Sequence, residues 1–271
     1  MDLATFKAYL ANFIPDGVAL AFSGGVDSTL LLALLSSLTT PDSPQIMAAT
    51  FHTPFHPDSE LALIRRLAAQ YRCRHQIIEL NPLNIPEVEN NDVQRCYFCK
   101  HAMFSALQGV AKPANLHTII DGTNFDDLNV YRPGRRALTE LGIHSPLAEC
   151  HVSKAQLRGW AQELNIPVAA KPAAPCLATR FEYNTLITNE LLQQVQLSEA
   201  LLHQLLPTNS QLRLRVHNNL ARIEVEPKNF TLLLQNHELI QAKLKEFGFD
   251  YVTLDLNGFC SGSMDLHVTN Q

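Results

Sequence analysis

The sequence predicts an α/β protein, a doubly wound parallel sheet followed by a smaller α+β domain. Up to about residue 165, apolar strand-like runs alternate with helical stretches. The turn Ser23-Gly24-Gly25-Val26-Asp27-Ser28 joins the first such run to the first helix. Pro167, Pro172 and Pro175 then interrupt regular structure, and the pattern beyond them changes. The expected division is residues 1–167 and residues 168–271.

Val18–Phe22 reads as the first strand and Thr29–Leu35 as the body of the first helix. Residues 45–52 and 75–80 read as the next two strands. Between them residues 58–71 have helical spacing, with Leu61, Ile64, Leu67 and Ala68 on one face and Asp58 or Ser59 as cap. A polar, proline-containing loop is expected over residues 81–94, then a helix over 99–108. His117–Gly122 reads as a fourth strand ending in a turn, and Ser153-Lys154-Ala155-Gln156 as a capping box opening a helix to about Leu164. In the second domain, residues 188–206 read as one helix, 211–216 and 221–226 as a hairpin, 229–247 as a helix and 251–256 as a last strand.

Composition narrows the class. Of 271 residues 46% are hydrophobic and 17% charged, which suits a soluble globular protein with a substantial core. The net charge is −5 and no Lys/Arg block is visible, so electrostatics do not point to a nucleic-acid partner. The first residues lack the charged and apolar regions of a signal peptide. No apolar run approaches the ~18 residues of a membrane span. The expectation is a cytoplasmic protein whose six cysteines are reduced.

Two glycines between a strand and a helix let the backbone approach an anion, and helix-start N–H groups point at it. Ser23 and Ser28 add hydroxyl donors. The turn is not a Walker A loop, which needs a lysine, nor G-x-G-x-x-G. It resembles the PP-loop of the N-type ATP pyrophosphatases, and that resemblance implies that it holds the β,γ-pyrophosphate of ATP while the α-phosphate is attacked.

Arg95-Cys96-Tyr97-Phe98-Cys99-Lys100 and Pro175-Cys176-Leu177-Ala178-Thr179-Arg180 carry the sulfur chemistry. A C-x-x-C alone fits a redox pair, a zinc half-site or iron–sulfur ligands. A thioredoxin-like pair would directly follow a strand. Zinc needs four ligands, which His101 or His75 could complete with Cys176. Three cysteines without a clear fourth fit a [4Fe–4S] cluster with one iron open to a sulfide or substrate. The stretch Asp121 to Gly134 ends the fourth strand with three aspartates, a tyrosine and an arginine. Such residues form ordinary turns, but they also suit ribose hydroxyls, phosphate and Mg²⁺.

Five blocks together resemble the LarE family of ATP-dependent sulfur transferases: S-G-G-V-D-S at 23–28, D-G-T-N-x-D-D at 121–127, Y-R-P-G at 131–134, S-P-L at 145–147 and P-C-L-A-T-R at 175–180. The resemblance implies adenylation of a carboxylate of pyridinium-3,5-biscarboxylate mononucleotide with release of pyrophosphate. A thiocarboxylate follows, in nickel-pincer nucleotide biosynthesis and lactate racemase maturation. Ser23, Gly24, Gly25, Asp27, Ser28, Gly122, Asn124, Asp127 and Arg132 are the implied ATP contacts. Arg180, Arg213 and Arg215 are the implied contacts of the substrate phosphate, and Asp27, Asp121 and Glu199 the implied Mg²⁺ ligands. Members of one type sacrifice a single cysteine. Those of the other hold a [4Fe–4S] cluster on three, and Cys96, Cys99 and Cys176 resemble that second type.

A solvated sheet face is an equal reading for Arg213 and Arg215, and a surface carboxylate for Glu199. Cys73, Cys150 and Cys260 read as bystanders, Trp160 as core, and His52, His56, His144 and His217 as structural. The family also implies a homo-oligomer and partners in the same pathway. The competing functions are a tRNA thiolase with a PP-loop and cluster, an amide-forming ligase of the NAD-synthetase kind, and a non-catalytic nucleotide sensor.

Overall fold

Four short strands, β1 (Val18–Ala21), β2 (Ile46–His52), β3 (Arg74–Glu79) and β4 (Thr118–Ile120), pair in parallel in the order β3-β2-β1-β4. The structure, a computed structural model, describes residues 1–40, 46–57, 59–129, 133–172 and 174–265. Alternate residues of β1, β2 and β4 enter different cores, because successive side chains point to opposite faces. Val18, Leu20, Ile46, Ala48 and Ile120 join one apolar cluster, and Ala19, Met47, Ala49 and Ile119 join the other. Strands β1, β2 and β4 are short, largely apolar runs because both their faces are covered, the signature of a doubly wound sheet, whereas the edge strand β3 is more polar and more exposed.

On the first face lie α1 (Leu3–Ala11), α2 (Val26–Leu38) and α3 (Ser59–Gln70). Past the short α4 (Pro86–Glu89), α5 (Arg95–Ala111) and α6 (Gly134–Glu140) cover the second face. A one-turn α7 (Pro146–Glu149) and α8 (Lys154–Glu163) return to the first, where Trp160 stacks on Phe6 with ring centroids 5.5 Å apart. The hydroxyl of Ser153 caps α8 by accepting from the Gln156 N–H at 3.3 Å. The Gln156 side-chain N–H donates to the Met1 carbonyl, and among the described residues no bond from the Ser153 N–H to the Gln156 side chain completes the expected capping box.

The second part holds α9 (Asn189–Gln204), the antiparallel hairpin β5 (Leu212–His217) and β6 (Leu220–Val225), then α10 (Phe230–Gln235), α11 (His237–Glu246) and β7 (Tyr251–Leu254), which pairs in parallel with β6. The chain separates into two compact units, Met1–Pro82 with Gln94–Lys171, and Leu83–Val93 with Pro172–Gln271. Asn91 ties the short inserted segment into the second unit. Its side-chain amide donates to the carbonyls of Phe181 and Glu182, and its own carbonyl accepts from Asn184.

Three expected elements differ in the structure. The stretch read as a plain loop over 81–94 contains α4, started by Pro86 at a helical first turn. Helix α5 begins at Arg95 rather than Cys99; Gln94 provides no side-chain cap, so no local signal marks the start. The helix expected over 229–247 breaks at Asn236, whose side chain donates to the Leu232 carbonyl at 2.8 Å and competes with the helical ladder. The caps suggested for α3 fall on Asp58, outside the described residues, and on the side chain of Ser59, likewise outside them.

Leu31, fully buried on α2, is expected to cost ~2–5 kcal/mol on truncation to alanine. Ser153→Ala should cost about 1 kcal/mol through the lost cap. Urea unfolding of the two variants checks both values.

Candidate active site

The turn after β1 has the features its residues suggest. Gly24 has φ +68°, the left-handed region, and a Cβ there would lie 2.7 Å from Ile64 Cγ1. Gly25 is the N-cap of α2 but brings no capping side chain, which leaves first-turn N–H groups to an anion. The Ser23 and Ser28 hydroxyls stand 3.2 Å apart, and Ser28 Oγ donates to the Gly25 carbonyl.

Strands β2 and β3 lie on one side of β1 and β4 lies on the other, so the order reverses between β1 and β4. Ligands of open α/β sheets bind at such a point, beyond the strand ends. Here the loop after β4 meets the start of α2. A Cβ on Gly122 would sit 3.2 Å from the Ser28 nitrogen and 3.3 Å from Asp27 Cβ, tighter than ordinary contact, so glycine eases this approach. Asn124 reaches across and donates to Asp27 Oδ1 at 3.0 Å. Its own N–H donates to Asp127 Oδ2, and its side-chain oxygen accepts from the Asp126 and Asp127 N–H groups. Asp121 is buried and accepts from the Ser145 hydroxyl at 2.7 Å and the Thr123 hydroxyl at 2.6 Å. Ser145 belongs to the S-P-L block, which thus serves to hold Asp121.

Two lysines that the sequence left without a role come to these carboxylates. Lys154, the first residue of α8, pairs with Asp27 Oδ2. Lys100 on α5 lies 3.8 Å from Asp121 Oδ2. Each stands in a block quoted for another reason, the cap of α8 or the cysteine pair, and each is brought to its carboxylate by a helix distant in sequence, which only the fold reveals. Arg132, nominated for ATP, lies outside the described residues.

Helix α5 also carries Cys96 and Cys99, one turn apart on the same side. Cys96 is exposed and Cys99 half-buried, with its sulfur 3.5 Å from Met103 Sδ. The glycine of Y-R-P-G has a reason here. A Cβ on Gly134 would meet the Cys96 carbonyl at 3.0 Å, so glycine lets α6 lie against the cysteine turn of α5. Tyr97 fastens the same two helices. Its hydroxyl donates to Glu140 at 2.7 Å, and the Arg136 guanidinium lies 3.7 Å from its ring centroid.

In the second unit Cys176 is half-buried and precedes a short 3₁₀ turn, Leu177–Arg180. Arg180 spends its donors inside the protein. Its Nε and Nη2 bind the two Glu199 oxygens at 2.9 and 3.0 Å, and Nη1 donates to the carbonyls of Pro175 and Cys176. Glu199 is therefore not the surface carboxylate of one expectation, but a buried partner that also accepts from the Leu214 N–H. The solvated-face reading of Arg213 and Arg215 is likewise corrected, since both are buried on β5. Arg215 binds Glu224 Oε2 at 2.9 Å and donates to the Thr179 carbonyl. Burial, with Arg180 nearby, lowers the Arg213 pKa to about 10.

The remaining expectations are structural. His52 pairs with Glu79, His56 with the Thr53 hydroxyl, His144 with Glu149, and His217 with Glu182. Trp160 is buried, and burial pushes the Cys73 and Cys150 thiols up. The six cysteines are thiols, with no disulfide among them. Among the described residues no group of three or more His, Cys, Asp or Glu is gathered as a metal site, and no helix is long and apolar enough to cross a membrane.

A parallel sheet whose first turn offers glycines and hydroxyls to phosphate at its switch point defines the PP-loop class of ATP-using enzymes. The asparagine synthase family profile matches residues 16–97, from before β1 into α5. Over 98% of this chain and 96% of its own length, the pyridinium-3,5-bisthiocarboxylic acid mononucleotide synthase of Lactiplantibacillus plantarum is 34% identical. An uncharacterized protein of Synechocystis sp. is 38% identical over 94% of each chain, and one of Methanocaldococcus jannaschii is 34% identical over 88% and 89%. The chain belongs to the LarE family of PP-loop proteins.

Arg180→Met strands Glu199 as a buried charge and should destabilise the second unit by about 3–5 kcal/mol, with the Arg180→Met/Glu199→Met double variant losing less. Urea unfolding of the set checks this. Burial also holds His56 below its ordinary range. The unfolded chain then takes up that proton first, so the His56 contribution is complete above about pH 6.5 and declines as pH falls through that value. His56→Asn should flatten the stability profile between about pH 7 and 5, as read by thermal melts across pH.

Proposed function

We propose that this protein uses ATP to activate a carboxylate of pyridinium-3,5-biscarboxylate mononucleotide and then exchanges the activated oxygen for sulfur. The observation that carries the reading is the near-full-length similarity to the L. plantarum synthase, whose name states the bisthiocarboxylic product. The turn of the first unit supports it, because Gly24 and Gly122 let the turn and the loop after β4 pack closely, and Gly25 caps α2 without a side-chain bond to its first-turn N–H groups.

The chemistry divides into two displacements. A substrate carboxylate oxygen attacks the α-phosphorus, the bond to the α,β-bridging oxygen breaks, and pyrophosphate leaves with the electron pair. Adenylation is required because oxide is a poor leaving group and AMP a good one. A sulfur nucleophile then adds to the carbonyl carbon, the C–O bond to AMP breaks, and AMP leaves with that pair.

Ser23, Ser28 and the α2 N–H groups would bind the phosphates, with Asp127 and Asn124 shaping the adjoining loop. Asp27 and Asp121 offer the hard oxygens that Mg²⁺ prefers. Glu199 does not fit a metal ligand, since both its oxygens are committed to Arg180. Arg180 and Arg215 act in this reading as clamps on the segment around Cys176. Arg213 is proposed to meet the substrate phosphate: buried between the charges of Arg180 and Arg215, it gains from an anion.

Cys96, Cys99 and Cys176 are proposed as ligands of a [4Fe–4S] cluster, a group that three thiolates fit in donor chemistry and that would supply the transferable sulfide. The thiols themselves bind and orient it and survive turnover. Anaerobically purified protein, incubated with ATP, Mg²⁺ and the biscarboxylate nucleotide, should release one pyrophosphate and one AMP per oxygen-to-sulfur exchange. Its own mass should be unchanged, with iron and sulfide bound. Dehydroalanine at position 176 in iron-free protein would overturn the cluster reading. Absence of pyrophosphate release would overturn the activation step itself.

A further inference from the structure

The phosphate-binding turn, Ser23 to Ser28, contains no cation, and the loops around it carry Asp27, Asp121, Asp126 and Asp127. A triphosphate entering there meets net negative charge from side chains, and backbone N–H groups alone do not offset it. Positive charge is nevertheless delivered to the turn. The Lys154 ammonium rests on Asp27, the second residue of α2, with its side chain 33% exposed. Asp27 is itself held from the other side by Asn124.

The placement of Lys154 runs against helix electrostatics. It is the first residue of α8, and its ammonium lies at the first turn of α2. Both are positive ends of helix dipoles, where acidic residues stabilise and lysine does not. Asp126 offsets part of this by accepting the Lys154 backbone N–H at 2.7 Å, which fixes where the side chain starts. A cation concentrated with two helix starts is favourable when an anion joins it.

We infer that Lys154 is the residue that binds the β,γ-pyrophosphate of ATP and neutralises it as it leaves. Asp27 holds the ammonium at the cradle, and the far stronger charge of the polyphosphate draws it over. The inference rests on the ATP-dependent reading above and assigns it a cation from α8, supplied more than a hundred residues after the turn it serves.

Titration calorimetry of the full-length protein in Mg²⁺ buffer, with ATP, pyrophosphate and AMP as separate ligands, tests it. Loss of one charge-assisted contact corresponds to ~10–100-fold in affinity. Lys154→Met should weaken ATP and pyrophosphate binding by that factor and leave AMP within about twofold, and Lys154→Arg should restore part of the loss. Equal weakening of AMP and ATP marks a merely structural lysine and overturns the assignment, as does unchanged pyrophosphate affinity. A second measurement needs no variant. In the wild-type protein, acylation of Lys154 followed by mass spectrometry should be suppressed by Mg-pyrophosphate and not by AMP; equal labelling under both conditions overturns the assignment even if Lys154→Met does not fold. Wild-type protein that binds neither ATP nor pyrophosphate sinks the ATP-dependent reading, whereas wild-type binding matched by the variant sinks only the role of Lys154.

Discussion

Gly122 presents a hydrogen where other residues carry a methyl group, and the start of α2 lies against that hydrogen. The nucleotide unit is arranged around this contact. It brings the loop after β4 to the loop after β1 across the switch point of the sheet. Asn124 can then reach Asp27, and Asp27 can hold Lys154. Asp121, one residue earlier, is anchored by Ser145 and Thr123 and faces Lys100 on α5. A helix that carries two cysteines is thereby tied to the same strand end. Ion pairs thus connect the turn after β1, the loop after β4 and the cysteine-bearing helix at one end of the parallel sheet.

The second unit solves a different problem, that of burying arginines. Taking a guanidinium from water is costly unless a carboxylate and further acceptors receive it. Glu199 and Glu224 receive Arg180 and Arg215, and main-chain carbonyls accept the donors left over. Those carbonyls belong to residues 175, 176 and 179, so the ion pairs fix the segment around Cys176. The arrangement stays charged, and Arg213 within it carries a depressed pKa because burial and like charges oppose its protonation.

The alternation of strands and helices made the first unit legible, since both sheet faces are covered and β1, β2 and β4 are short, largely apolar runs. The geometry of the turn after β1 was legible because glycine is favoured where φ is positive and backbone approaches closely. What sequence could not show is pairing over distance. Lys154 stood in view only as part of a cap, and Lys100 only as the residue after Cys99. Arg213 and Arg215 on alternate positions suggested a face but not whether water or carboxylates covered it. Helix ends without a side-chain cap, such as the start of α5 after Gln94, leave no local mark. The break at Asn236 depends on one side-chain bond to Leu232 that the sequence allows without requiring.

The clamp on the 175–180 segment touches Cys176 through its carbonyl oxygen, which accepts from Arg180, from the Thr179 N–H and from the Thr179 hydroxyl. Every amino acid owns such an oxygen. These three bonds hold the segment through a main-chain atom, so they would persist with another side chain at position 176.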